Sequence, residues 1–120
     1  MRALVVDDSS AMRAVLAMIL KRRGFEILQA KEGMQALDVL SAGGPVELVL
    51  IDWNMPGMNG LQLLRRIREQ TQYSGMRVLM VTTETGMGQM SDALSAGADE
   101  YIMKPFTPDV VMDKLQLLGL

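Results

Sequence analysis

The sequence predicts an α/β protein built on a doubly wound, five-stranded parallel sheet. Five short apolar runs, at residues 4–6, 25–30, 48–51, 78–81 and 101–103, are candidates for strands. The stretches between these runs are long enough for helices, and several of them repeat apolar residues with a helical period. The first, third and fourth runs are apolar throughout, which is typical of strands that helices cover on both faces. These three observations together favour five βα units.

The first βα unit has the clearest helix. Its apolar residues recur at i, i+3, i+4, i+7 and i+8, as Met12, Val15, Leu16, Ile19 and Leu20. Ser9 or Ser10 can cap the start, and the basic end at residues 21–23 is followed by Gly24, as is typical of a helix C-terminus. The second apolar run, at 25–30, alternates partly with polar residues, so we expect it at an edge of the sheet.

The second and third helices are predicted at about residues 33–42 and 59–70. The second helix ends at Gly43-Gly44-Pro45, because glycine and proline do not continue a helix. Asn59 is the natural cap of the third helix. The inward face of the third helix consists of Leu61, Leu63, Leu64 and Ile67.

The fourth helix, at about residues 87–96, has the weakest signals. Gly86 and Gly88 stand at its start, and a glycine costs about 1 kcal/mol relative to alanine inside a helix. The fifth helix has stronger signals, since Thr107 can cap it and Pro108 suits its first position. Its inward face consists of Val111, Leu115 and Leu118.

The composition excludes several classes of function. The 120 residues carry a formal charge of −2 with both signs interspersed, which favours neither nucleic-acid binding nor a membrane partner. The absence of cysteine and histidine excludes disulfides, thiol nucleophiles and histidine general bases. The length fits one domain, and the N-terminus lacks a signal-peptide pattern. We therefore expect a single domain over residues 1–120, located in the cytoplasm and acting as a monomer.

The most informative feature is the residue at which each apolar run stops. The first run stops at Asp7-Asp8, the third at Asp52, the fourth at Thr82 and the fifth at Lys104. Any one of these residues alone is more simply a turn or cap residue. In an open α/β sheet, however, ligands bind beyond the carboxyl ends of the strands where the strand order reverses. The sequence therefore predicts that these residues form one site.

Three carboxylates in one site predict a bound cation. They would raise one another's pKa unless a positive charge lay among them, and ligands that are all oxygen favour Mg²⁺. With Mg²⁺ and Lys104 the formal charges of this site cancel, so an incoming phosphoryl group is not repelled. That balance suits phosphoryl transfer onto a carboxylate, with Lys104 and a hydroxyl such as Thr82 facing the phosphoryl oxygens.

Three stretches resemble the receiver domains of two-component response regulators, and the resemblance covers essentially the whole chain. They are Asp52-Trp53-Asn54-Met55-Pro56 continuing through Gly60-Leu61 to Leu63-Leu64, Val81-Thr82 followed by Glu84, and Tyr101-Ile102-Met103-Lys104-Pro105-Phe106-Thr107. Among receivers the chain is most similar to those of chemotaxis. The resemblance implies a flavodoxin-like (βα)5 fold with strand order 2-1-3-4-5.

The resemblance also implies how the acidic residues act. Asp52 would be the phosphoacceptor. Asp8, Asp52 and the main-chain carbonyl of Asn54 would hold Mg²⁺, and Asp7 would assist through water. Asn54 would also belong to the pair of residues that tunes hydrolysis of the acyl phosphate. Trp53 is expected to be a partly exposed ring beside this site, without a chemical role.

The remaining site residues would read the phosphoryl group. Lys104 would pair with the acidic residues and then with a phosphoryl oxygen, and the Lys104-Pro105 bond would be cis. Thr82 would give the switch hydroxyl, and Tyr101 would be the aromatic switch. Glu84 would be the second tuning residue. Thr83 stands where many receivers have a smaller residue, which would narrow access to the phosphoryl group.

On this resemblance the chain would be a signalling switch, and its catalysis would be limited to its own phosphorylation and dephosphorylation. A histidine kinase or histidine phosphotransfer protein would donate the phosphoryl group. The face formed by the fourth helix, fifth strand and fifth helix would then bind a downstream protein, with the flagellar motor switch as one candidate. Residues 86–90 lack the lysines of chemotaxis receivers, which leaves that target open. A receiver from a larger regulator or hybrid kinase, or a phosphorelay intermediate, is the alternative.

Two other classes of function are less favoured by the residues. A flavin-binding electron carrier needs a phosphate-cradling loop after the first strand, where Asp7-Asp8 would repel the phosphate. A metal-dependent phosphohydrolase usually needs an acidic residue two positions beyond its nucleophile, where this chain has Asn54.

Overall fold

The computed structural model describes residues 1–83 and 87–120, and of Met87 the main chain alone. The elements are β1 (Arg2–Val6), α1 (Ser10–Arg22), β2 (Glu26–Ala30), α2 (Gly33–Ser41), β3 (Leu48–Asp52), α3 (Gly60–Arg68), β4 (Arg77–Thr82), α4 (Met87–Ser95), β5 (Glu100–Met103) and α5 (Pro108–Leu117). All five predicted strands and five predicted helices are present. A 3-10 turn at Thr71–Tyr73 is additional, and three residues are too few to show a period in the sequence.

The sheet is parallel, with strand order β2-β1-β3-β4-β5, as the resemblance implied. From β1 the chain first moves to β2 on one side, and it then returns to β3 on the other side. The strand order therefore reverses between β1 and β3, and a crevice opens there beyond the carboxyl ends of the strands. In agreement with the sequence pattern, β2 lies at an edge and is only partly buried.

Two apolar layers cover the sheet, one on each face. Alternate residues of a strand point to opposite faces, so Val49 and Ile51 pack toward α2, α3 and α4, whereas Leu48 and Leu50 pack toward α1 and α5. All four side chains are fully buried. Burial of one such side chain contributes about 1.5–3 kcal/mol, so these strands are the most strongly anchored part of the fold.

Side-chain caps fix the starts of three helices. Ser9, and not Ser10, caps α1, because its hydroxyl accepts a hydrogen bond from the main chain of Met12. The Asn59 side chain accepts from the main chain of Gln62 at 2.9 Å, and the Gln62 side chain accepts from the main chain of Asn59 at 2.9 Å. This reciprocal pair is a capping box. Thr107 caps α5 as predicted.

Two side-chain predictions are wrong. Trp53 is buried, with 8% of its surface exposed, because it continues the alternation of Val49 and Ile51 and so enters the same apolar layer. Val15 is 46% exposed, because it lies about 100° around α1 from Leu16, beyond the face that meets the sheet. Within residues 1–83 and 87–120, none of the helices has the length and hydropathy of a transmembrane segment.

Candidate functional site

The carboxyl ends of four strands bring the predicted polar residues to one edge of the sheet. Asp7 follows β1 directly, Asp52 ends β3, Thr82 ends β4 and Lys104 follows β5. Asp7, Asp52 and Thr82 are buried, whereas Asp8 is exposed. The apolar strands thus carry polar side chains to a crevice that is partly closed to water.

The three carboxylates form a cluster that suits a cation. One oxygen from each of Asp7, Asp8 and Asp52 lies within 4.8 Å of the others. The Lys104 ammonium is the counter-charge that the structure places against two of these carboxylates. Among the described residues, one ammonium group is in ion-pair contact with this cluster. The remaining negative charge is unfavourable in a partly buried place without a further cation. The donors are hard oxygens, so the cluster fits Mg²⁺.

Both the main chain and the side chain of Asp7 form hydrogen bonds with neighbouring elements. Its main-chain N–H donates to the carbonyl of Ala30 at 3.1 Å. One carboxylate oxygen accepts from the main-chain N–H of Ser9 at 2.9 Å, and the other accepts from Lys104 at 3.3 Å. The Asp7 carbonyl accepts from the guanidinium of Arg13 at 2.6 Å. The position of this carboxylate is therefore fixed by β2, α1 and the end of β5 together.

The pKa of the Asp52 carboxyl group is shifted by its surroundings. Burial in the protein raises the pKa of Asp52 above its ordinary value, and the negative charge of Asp7 raises it further. The Lys104 ammonium, at 3.2 Å, and the main-chain N–H of Asn54 lower it in part. Because the negative charge of Asp52 is unfavourable in this place, a bound cation or a covalent bond to an electrophile would stabilise the site by neutralising that charge.

The loop after Asp52 approaches the strand so closely that only glycine fits at one position. A Cβ atom on Gly60 would lie 2.5 Å from the carbonyl oxygen of Asp52 and 2.8 Å from the Cα of Trp53. The Gly60 N–H donates to the Trp53 carbonyl at 2.9 Å, which holds the start of α3 against this turn. Gly60 thus packs directly behind the candidate acceptor, a constraint that the sequence pattern does not reveal.

Asn54, two residues beyond Asp52, lies next to Thr83, the residue that follows β4. Asn54 is exposed, and its side-chain amide donates to the hydroxyl of Thr83 at a long 3.4 Å. Thr83 thus contacts one of the two residues proposed to tune hydrolysis. The other, Glu84, lies outside the described residues.

Lys104 joins the ends of β4 and β5. Its main-chain N–H donates to the carbonyl of Thr82 at 2.7 Å, and its side chain reaches back to the acidic cluster. The Lys104-Pro105 peptide bond is cis, as the resemblance implied.

Tyr101 lies on the edge strand β5, with its ring half-buried against the α2–α3–α4 layer. The ammonium of Lys114 on α5 lies 4.8 Å from the centre of this ring and 3.0 Å from a carboxylate oxygen of Glu100. Such a cation–π contact is worth about 0.5–1 kcal/mol at a partly exposed site. The ring thus has a defined partner on α5, which the sequence pattern did not reveal.

Comparison with known proteins gives a consistent picture. The family described as "Response regulator receiver domain" matches residues 3–116. A chemotaxis protein CheY homolog of Campylobacter jejuni is 45% identical over 97% of this chain and 90% of its own length. Chemotaxis protein CheY1 of Helicobacter pylori is 42% identical over 98% of this chain and 96% of its own.

Solved structures agree with the sequence relatives. The chemotaxis protein CheY4 of Vibrio cholerae superposes with a TM-score of 0.90 at 32% identity, covering 97% of this chain and 96% of that one. A CheY-like receiver protein of Methanospirillum hungatei superposes with a TM-score of 0.87, also at 32% identity, over 98% of this chain and 91% of that one. The chain therefore belongs to the response regulator receiver family of two-component signalling, as a CheY-like member.

Proposed function

We propose that this chain is a phosphorylation-dependent switch in which Asp52 accepts a phosphoryl group from a histidine kinase or a histidine phosphotransfer protein. The observation that carries the proposal is the Asp52 carboxylate, which is buried at the end of β3 beside two further carboxylates and 3.2 Å from an ammonium group. A structural ion pair alone does not need three acidic groups for one lysine.

Asp8, Asp52 and the main-chain carbonyl of Asn54 would hold Mg²⁺, with Asp7 assisting. When bound, Mg²⁺ supplies positive charge that stabilises phosphoryl oxygens and removes the repulsion among the carboxylates. The all-oxygen cluster within 4.8 Å supports this assignment.

In the transfer step, a carboxylate oxygen of Asp52 attacks the phosphorus of a phosphohistidine. The new phosphorus–oxygen bond forms as the phosphorus–nitrogen bond breaks, and the electron pair of that bond stays on the imidazole nitrogen. The ammonium group of Lys104 would stay beside the Asp52 side chain and pair with one phosphoryl oxygen, while the hydroxyl of Thr82 would donate a hydrogen bond to a second phosphoryl oxygen. Asn54 and Glu84 would tune the later attack of water on the acyl phosphate.

The output would be a change in affinity for a partner protein. Tyr101 would follow the movement of Thr82, and the face of α4, β5 and α5 would present a new surface. Exposed apolar side chains on these three elements support a docking role: Leu94, Met103, Val110 and Leu117. The chemotaxis names of the relatives favour the flagellar motor switch as the target.

The acceptor assignment is tested by intact mass after incubation with acetyl phosphate and MgCl2. We expect a single added phosphoryl group on the wild type and none on Asp52→Asn. Asp38→Asn is the matched control, because Asp38 is exposed on α2, an element that carries none of the site residues. An equal adduct on wild type and Asp52→Asn would contradict the assignment. Rapid turnover of acetyl phosphate without a lasting adduct would favour a phosphohydrolase instead.

The output face is tested separately with a purified flagellar motor switch protein. Val110 on α5 and Val15 on α1 are both exposed valines, 39% and 46% respectively, on different helices. Val110→Lys is expected to weaken acetyl-phosphate-dependent binding, whereas Val15→Lys leaves it unchanged. Binding that is insensitive to acetyl phosphate, or equally affected by both variants, would contradict the proposed face or target.

A further inference from the structure

We propose that Arg13 is a positioning residue of the metal site, which holds the peptide group between Asp7 and Asp8 so that both carboxylates face the cation. The inference rests on the proposed function, since it takes the acidic cluster as the place where Mg²⁺ binds. Arg13 lies on α1 and is half-buried, and it is outside the three stretches whose resemblance to receiver domains is described above.

The geometry of the guanidinium carries the argument. Its Nη1 donates to the Asp7 carbonyl at 2.6 Å, and that carbonyl belongs to the peptide that joins Asp7 to Asp8. Its Nε donates to the side chain of Gln29 on β2 at 3.1 Å. Two hydrogen bonds in different directions fix the plane of the guanidinium, and the guanidinium in turn fixes the orientation of the peptide.

Asp8 depends on this support more than Asp7 does. Asp7 has its own contacts with Ser9 and Lys104. Asp8 is exposed, and within residues 1–83 and 87–120 no hydrogen bond is formed by its carboxylate. The place of that carboxylate is therefore set through its main chain, which begins at the peptide held by Arg13. Groups that orient a ligand from behind commonly affect metal affinity strongly.

A simple electrostatic role for Arg13 predicts the opposite sign. Removing a positive charge beside a cation site should tighten cation binding, because like charges repel. Removing a positioning contact should weaken it. The direction of the change in cation affinity therefore separates these two roles. If Arg13 only stabilised α1, its replacement would leave cation affinity unchanged.

The experiment measures binding of Mn²⁺, used as a spectroscopic substitute for Mg²⁺, from the paramagnetic resonance signal of the free ion. We expect Arg13→Met to weaken Mn²⁺ binding about tenfold, as loss of a partner behind a metal ligand does. Arg13→Lys, which keeps the charge and one donor, should recover part of the affinity. Lys31→Met is the matched control: Lys31 borders the same shallow cavity as Arg13 and Gln29, and its removal should leave binding unchanged or tighter.

Gln29→Leu removes the second anchor of the guanidinium and should weaken Mn²⁺ binding less than Arg13→Met does. It also keeps the inference testable if Arg13→Met fails to fold. Unchanged or tighter binding by the Arg13 variants and by Gln29→Leu would overturn the inference while leaving the metal site intact. Failure of the wild type itself to bind Mn²⁺ would instead overturn the proposed metal site, and the inference with it.

Discussion

The ammonium nitrogen of Lys104 lies 3.2 Å from a carboxylate oxygen of Asp52, although 52 positions separate the two residues in the sequence. The same nitrogen lies 3.3 Å from Asp7. One side chain from the end of β5 therefore partly neutralises the ends of β1 and β3. The stability of the metal-free chain and its response to cations should both depend on this contact.

Without divalent cations, replacement of Lys104 by methionine is expected to lower the free energy of unfolding by about 1–3 kcal/mol, because it removes the ammonium hydrogen bonds and the counter-charge of two buried carboxylates. MgCl2 should restore part of the loss, since a bound cation takes over the neutralisation. Urea unfolding with and without MgCl2 measures both effects. Lys21→Met, an exposed lysine of α1, is the control. An equal loss under both conditions would argue against a shared role of lysine and metal.

The raised pKa of Asp52 predicts a pH-dependent gain from Asp52→Asn. The folded chain disfavours the ionised form of Asp52, so this residue lowers the free energy of unfolding at pH values above its folded-state pKa. The penalty shrinks as the pH falls below that pKa, and it is absent below the ordinary pKa of 3.8. Without divalent cations, Asp52→Asn should therefore unfold at a higher temperature than the wild type at neutral pH, and the gain should vanish on acidification.

Thermal unfolding across this pH range measures the difference, with Asp38→Asn as the control for loss of one carboxylate on the surface. Added MgCl2 should reduce the increase in unfolding temperature that Asp52→Asn gives at neutral pH. The reason is that the cation neutralises the Asp52 carboxylate of the wild type, whereas the variant has no charge there to neutralise. A gain that grows as the pH falls would have the wrong sign for a raised pKa.

The capping box of α3 should contribute measurably to stability. Asn59→Ala removes the side-chain acceptor for the main chain of Gln62 and is expected to cost about 1 kcal/mol. Asn59→Ser keeps an acceptor at the same place and should retain most of the stability. The midpoints of urea unfolding compare the three chains, and equal midpoints for Asn59→Ala and the wild type would show that solvent replaces the cap.

Replacement of Gly60 by alanine should destabilise the chain far more than the same replacement at a glycine that has open space around it. The added methyl group would meet the Asp52 carbonyl at 2.5 Å, so Gly60→Ala is expected to destabilise the chain by about 1–3 kcal/mol, as overpacking does, and to slow phosphorylation by acetyl phosphate. Gly75 has no heavy atom within 4 Å of the corresponding position, which makes Gly75→Ala the matched control. Similar losses at both positions would contradict the close packing behind Asp52.

The sequence pattern was sufficient to predict the elements because local periodicity and caps decide them. Apolar runs with helical stretches between them predicted the strands, and Ser9, Asn59 and Thr107 indicated where three helices begin. The convergence of Asp7, Asp52 and Lys104 also followed, because parallel strands end at a common edge. What the pattern could predict was thus set by local signals and by one topological rule.

Features that depend on packing between distant segments were missed. Arg13 contacts Asp7 within the first βα unit, but its contact with Gln29 exists only because β2 pairs with β1. The close approach of Gly60 to Asp52 depends on how the loop folds back over the strand end. Trp53 is buried and not partly exposed, because β3 extends to Asp52 and the next side chain, that of Trp53, enters the apolar layer that holds Val49 and Ile51.

The burial of Trp53 gives the chain an intrinsic optical reporter. This residue is the single tryptophan of the sequence, and its main-chain N–H donates to the carbonyl of Val81, one residue before Thr82, at 2.8 Å. Its indole lies in the apolar layer while the preceding residue, Asp52, lies in the crevice. A change in charge at the crevice, or a shift of β4, should therefore alter the fluorescence of Trp53. Either event can thus be followed in real time without an added label.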